Sequence, residues 1–388
     1  MSLRALGLAL AIGALCTGMV ACGGKHKGAK PGVATPGLPP ANPLAVTKMV
    51  QGVQAAKEPK GIPRAIDLLK EAIQIDGNLW EARYDLGVLY AQTGALAAAE
   101  LQLKAAQKIA PSEQDVAVAL AEVRRRRGEH KDAADGLEEY VKAFPGAVEA
   151  RTLYVTTLRD SGQLDKAIQN AREVLVRRPG DPTALSELAL CHLAKGERDS
   201  AQLLVKQALD GNAKSAPAHR AAGLVALANG DDAAAFQAFQ KAAQEDPRDT
   251  TSRLNMAAVL TRAGAYAKAE EQYRAILAVA VDDAAAMVGL AAVLRAQGDA
   301  KNTAKFDQAK QLLEKVLERD PNDVRALFNM GVLLFEFMKR PDEAKTYFDR
   351  FLSEAPSDHP QRAEADRYMS QASVQKKAPP PAPAGGAK

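Results

Sequence analysis

One glycine recurs through this chain at a fixed interval. Gly94, Gly128, Gly162, Gly196, Gly230, Gly264 and Gly298 are each 34 residues from the next. With 28 glycines in 388 residues, seven in register by chance has odds below roughly one in a million, so the period is structural. Ala65, Ala99, Ala133, Ala167, Ala201, Ala235 and Ala269 keep the same period. A chain built this way must repeat one small supersecondary unit and bury its core between neighbouring copies.

Trp80 to Glu113 shows the unit in full. Ala82, Leu86, Val88, Leu89 and Tyr90 recur at helical spacing up to Gln92. Gly94 then stops the helix, because glycine alone enters the left-handed C-cap conformation without steric cost. A second helix is predicted from Leu96 to Ile109, with Leu96, Ala99, Leu103 and Ala106 on one face. Pro111 follows, where a helix cannot continue. Gly87 and Ala99 are small, which suits a close crossing of two helices each about 20 Å long.

Leu86, Gly87, Tyr90, Ala99, Leu103, Ala106 and Pro111 fall at positions 7, 8, 11, 20, 24, 27 and 32 of the unit that begins at Trp80. In these positions the chain resembles the tetratricopeptide repeat family. Further units begin at Gln114, Val148, Pro182, Ala216, Thr250 and Ala284. The Ala284 unit carries about six extra residues near 300–305, and a last unit starts near Val324, with Arg340-Pro341 in place of the turn glycine. An irregular unit precedes Trp80, making nine. The resemblance implies an all-α fold, a right-handed α-α superhelical solenoid of about nine helix–turn–helix units.

The predicted organisation has five parts. Residues 1–21 are a signal segment: Arg4, an apolar run to Ala21, then Cys22. Met19-Val20-Ala21-Cys22 resembles the bacterial lipobox, in which the cysteine is lipidated; the alternative is an ordinary signal peptide cut near Ala21. Gly23 in place of aspartate favours the periplasmic side of the outer membrane by the enteric sorting rule. Residues 22–43 form a flexible Gly/Pro/Lys tether. Residues 44–357 are the solenoid, 358–375 a capping helix, and 376–388 a disordered Pro/Ala/Gly tail.

Composition excludes several functions. A net charge of +4 is no nucleic-acid footprint. His26, His130, His192, His219 and His359 offer no helical pair at metal-ligand spacing, and no glycine loop is left over to cradle a phosphate. Cys191 and His192 are adjacent and point to different sides of their helix. Cys191 reads as a packing residue. The sequence therefore offers no catalytic residue, metal ligand, cofactor site or small-molecule substrate site.

The family resemblance implies that the first helix of each unit lines a concave face that grips protein segments. Mapped here, that face holds Tyr84 and Val88, then Glu122 and Arg125, then Thr152, Thr156 and Arg159. Farther along it holds Arg220 and Leu224, then Leu254, then Val288, then Phe328 and Phe335. The later apolar series either lines the groove or packs on neighbouring helices. The lysine and asparagine with which some family members clamp acidic carboxy-termini are absent. The run Arg124–Arg127 either complements the dipole at its helix end or offers an acidic-partner site. The expected function is a lipid-anchored scaffold for other envelope proteins, serving a gliding or type IV pilus machine. The alternative is an accessory that docks a polysaccharide-export or cell-wall enzyme.

Overall fold

The computed structural model describes residues 40–299 and 303–375. The signal segment, Cys22, nearly all of the tether and the tail lie outside the described residues. The chain divides between Ser252 and Arg253 into two compact units. Among the described residues all regular structure is helical.

The first unit contains six antiparallel pairs. They are α1 (Pro43–Ala55) with α2 (Ile62–Ile75), α3 (Trp80–Gln92) with α4 (Leu96–Ile109), and α5 (Gln114–Arg126) with α6 (His130–Ala143). Next come α7 (Val148–Asp160) with α8 (Leu164–Arg177), α9 (Pro182–Ala194) with α10 (Arg198–Gly211), and α11 (Ala216–Ala228) with α12 (Asp232–Glu245). Helix α13 (Thr250–Arg262) crosses the division, and in the second unit its Arg253 Nη1 donates to Gln272 Oε1 of α14 (Tyr266–Val279) at 3.2 Å. The second unit continues with α15 (Ala284–Gln297), α16 (Ala304–Arg319), α17 (Val324–Val332), α18 (Pro341–Glu354) and α19 (Arg362–Gln375).

Six of the series glycines, Gly94 through Gly264, have φ between 72° and 80°. The turn they make closes a six-residue hydrogen bond: Ala95 N–H donates to the Tyr90 carbonyl at 2.9 Å and Glu129 N–H to Arg124 at 2.9 Å. The seventh behaves differently. Gly298 ends α15 in an extended conformation, φ −73° and ψ 146°, as the chain departs into its extra residues. Its constraint is steric instead: a Cβ there would lie 2.2 Å from the Phe306 ring. In the last pair Lys339 takes the left-handed position (φ 56°). Helix α17 runs into it through a π-helical turn, Leu333–Phe337, which absorbs the changed turn length.

The alanine series is the crossing point. Ala65, Ala99, Ala133, Ala167, Ala201, Ala235 and Ala269 are each 0 % exposed. Opposite them the first helix also stays small where the second carries bulk. A Cβ on Gly87 would sit 2.7 Å from Leu103 Cγ, and one on Gly223 2.5 Å from the Phe239 ring. The core is a series of clusters, each joining neighbouring helices; one gathers Trp80, Leu103 and Leu120 from α3, α4 and α5. This is the packing of a repeat array, in which each pair buries its apolar face on the next.

Candidate functional site

Three successive first helices in the first unit, α5, α7 and α9, carry one continuous strip of charge. Arg125 Nη1 donates to Glu122 Oε2 at 2.6 Å, and Arg125 Nη2 to Asp160 Oδ2 at 2.5 Å. Asp160 Oδ1 forms an ion pair with Arg159 Nη2 at 3.2 Å, and Arg159 Nε donates to Glu187 Oε2 at 2.9 Å. The two ends of the strip are the most buried, with the side chains of Glu122 and Glu187 only 7 % and 6 % exposed. Three carboxylates against two guanidiniums leave one net negative charge.

Burial opposes the charge on Arg125, but Glu122 and Asp160 outweigh it and hold the guanidinium above its ordinary pKa. The same balance, through Glu187 and Asp160, raises Arg159. Removing one member of such a chain would strand a poorly solvated partner. Beside the strip, the Thr152 and Thr156 hydroxyls donate to the Val148 and Thr152 carbonyls at 2.9 and 3.3 Å, which leaves their oxygens able to accept. Cys191 lies fully buried next in line. Burial, reinforced by the Glu187 charge, pushes its thiol up to about 12, so it is protonated and unreactive at neutral pH.

The structure thus brings Glu122, Arg125 and Arg159 together, with Thr156 one turn from Arg159 on α7. It adds two residues that sequence reasoning missed, Asp160 and Glu187. Their signal was an acid 35 residues after Arg125 and another 28 after Arg159, the offsets that put side chains of adjacent units side by side.

Five assigned groove residues need correction, among them Val288, which is buried on α15. Tyr84 and Val88 are buried in the cluster that α3 shares with α4 and α5. Val116, Ala119 and Leu120 cover them there. Glu122 is buried by its own ion pair and supports the strip from beneath. In the second unit Phe328 is buried, its ring 5.3 Å from that of Phe351 and 6.1 Å from that of Phe348. Phe335 is half-buried against Tyr368 at 5.3 Å, and Tyr368 stacks on Phe348 at 5.1 Å. These aromatics form the core that α19 closes over the last pair.

The remaining three residues stand apart from the strip. Arg220 pairs with buried Asp249 at 2.9 Å, Leu224 is half-buried against the Ala189 cluster, and Leu254 is half-buried on α13.

The run Arg124–Arg127 is engaged within the chain. Buried Glu100 on α4 accepts from Lys104 at 2.6 Å, from Arg124 at 3.2 Å and from Arg127. Arg125 belongs to the strip, and Arg126 donates to the Ala91 carbonyl at 2.8 Å. The run fastens α5 onto the preceding pair instead of presenting a cluster of free cations. Among the described residues no group of three or more His, Cys, Asp or Glu is placed to hold a metal ion, and no helix is long and apolar enough to cross a membrane.

Family models described as tetratricopeptide repeat match residues 158–224, 226–294 and 294–366, and a second such model matches 61–114 and 118–182. Human protein O-mannosyl-transferase TMTC1 is 24 % identical over 251 residues, which is 65 % of this chain and 24 % of that protein. Cellulose synthase 1 operon protein C of Komagataeibacter xylinus is 32 % identical over 137 residues, 34 % of this chain and 10 % of that protein. This chain therefore spans a quarter or less of the length of either relative. Among solved structures, the type IV pilus biogenesis factor PilW is similar with a TM-score of 0.45 at 17 % identity, over 57 % of this chain and all of that one.

Proposed function

The chain belongs to the tetratricopeptide repeat family, and from that premise we propose that it is a lipid-anchored scaffold assisting the assembly of an envelope-spanning machine. Repeats of this family are scaffolds for protein interactions. The single observation that carries the reading is the strip across α5, α7 and α9. It runs over three successive units with its charges already paired, so a segment laid along it need not strip water from isolated ions. The unpaired acceptors beside it, Thr152 and Thr156, suit backbone N–H groups of an extended or helical protein segment. Arg4, the apolar run and Cys22 supply the anchor in this reading, on the periplasmic side of the outer membrane. Two or three acyl chains hold stably, each buried CH2 contributing about 0.8 kcal/mol, and anchoring raises the effective concentration of scaffold at one membrane. The machine proposed is the gliding or type IV pilus apparatus. Neither a cofactor nor a catalytic step enters the proposal.

A second reading, docking of a polysaccharide-export or cell-wall enzyme, draws support from the match to the Komagataeibacter cellulose synthase operon protein. One experiment separates the readings: crosslinked pulldown from membrane fractions of wild type, Cys22→Ala, and a Thr152→Arg/Thr156→Arg double variant. The double variant removes no member of the strip while filling the space beside it. It is expected to lose its partners and stay at the membrane, whereas Cys22→Ala leaves the membrane. Unchanged fractionation of Cys22→Ala would overturn the anchor, and partners that survive the double variant would overturn the strip. Recovery of pilus or motility subunits supports the first reading; recovery of glycan synthase or export subunits supports the second.

A further inference from the structure

Within the first unit, a small cavity lies between the first and second helix pairs. Val53, Ala56 and Leu69 line it from the first pair, and Asp85, Val88, Leu89 and Gln92 from α3. Its volume of about 10 Å³ is the room about one water needs. Asp85 is only 6 % exposed. Its Oδ2 atom and the Nε2 atom of Gln92 are both buried without a hydrogen-bond partner. The two residues are two turns apart on one face of α3, and both line the cavity.

No cation answers this carboxyl. The first pair contributes only apolar lining. Arg83 turns to the Gly77 carbonyl and Gln102, Arg126 of α5 bonds the Ala91 carbonyl, and Glu100 of α4 is held by its own three cations. Glu81, one turn earlier on α3, adds a like charge. An unpaired carboxylate is costly to bury, while the neutral acid can share a water with the amide. Burial first, then Glu81, pushes Asp85 up to about 8 from its ordinary 3.8.

We propose that this cavity is a proton-controlled latch, in which the neutral Asp85 carboxyl keeps the first helix pair seated on the second and its ionisation releases that pair. The latch acts on the scaffold itself, whatever segment the scaffold holds. Its sign follows from linkage. With the pair released, Asp85 is solvated and ionises near 3.8; with the pair seated it keeps its proton to about 8. The opening constant therefore rises about tenfold per pH unit between about 4 and about 8, and levels off above.

The test is amide hydrogen exchange in the full chain, wild type against Asp85→Asn, each pair of samples compared at one pH so that chemical exchange cancels. Between pH 5.5 and 7.5 the wild-type-to-variant ratio of exchange rates across Pro43–Ile75 should rise about a hundredfold, with no such rise across Val148–Arg177. A ratio that stays flat overturns the proposal. Carboxyl 13C titration of aspartate-labelled wild type gives a readout that needs no variant. A midpoint near 8 at Asp85 supports the latch, and one near 4 overturns it.

Discussion

At the residue scale the repeat is a matter of matched volumes. The first helix carries Gly87 where the second carries Leu103, and Gly223 where the second carries Phe239. The fourth pair inverts the arrangement, with Val155 in the glycine's place and Ala171 in the bulky one, both buried in one cluster. What is conserved from pair to pair is the space between the helices. Gly223→Ala puts a methyl group 2.5 Å from the Phe239 ring and should destabilise the first unit by about 1–3 kcal/mol. Adding Phe239→Leu should return most of that loss. Urea denaturation of both variants checks it, and a Gly223→Ala chain as stable as wild type would mean that the helices separate freely.

At the scale of elements, adjacent pairs are fastened by polar side chains as well as by apolar burial. Glu100 ties α4 to the end of α5 through Arg124 and Arg127. Burial alone would raise its pKa, but Lys104, Arg124 and Arg127 outweigh it and hold the carboxyl below 4.5. A depressed carboxylate stabilises the fold above its unfolded pKa, and that stability disappears as pH falls through the folded value. Glu100→Gln should therefore cost about 2 kcal/mol at neutral pH, and the gap to wild type should close below about pH 4. Melting curves from pH 3 to 7 measure both; a gap independent of pH would show that the loss comes from packing. This acid dependence is opposite in sign to that of Asp85, because one carboxyl has cations around it and the other has none.

At the scale of the whole molecule, each unit is an array; within the first, contacts link each helix pair to its neighbours in sequence, with side chains meeting at offsets of about 28 to 35 residues. Stability in such an array is a sum of pair terms and neighbour terms. The first pair has a neighbour only on its α3 side among the described residues. In hydrogen exchange at pH 7, Pro43–Ile75 should exchange at least tenfold faster than Val148–Arg177, which is covered on both sides. Uniform protection across the first unit would show instead that it opens only as a whole.

The amino-acid sequence alone determined that the chain is a series of helix pairs, and in the unit from Trp80 to Glu113 it determined the bounds of both helices. These follow from local rules: a positive φ demands glycine at Gly94 and its successors, a close crossing demands the alanine series, and helical periodicity marks the buried faces. Where a local rule met a changed context it failed, as at Gly298, which is extended and kept small by Phe306. Only the tertiary structure decided which face of each first helix stays open. Tyr84, Val88 and Phe328 occupy groove positions yet are covered, because side chains from neighbouring helices fill the space above them. Asp160 and Glu187 looked like ordinary surface acids, and became part of the strip because packing sets each beside an arginine one unit away. Periodicity reports what a residue does for its own helix; contact across a repeat depends on how two helices meet, which no local pattern encodes.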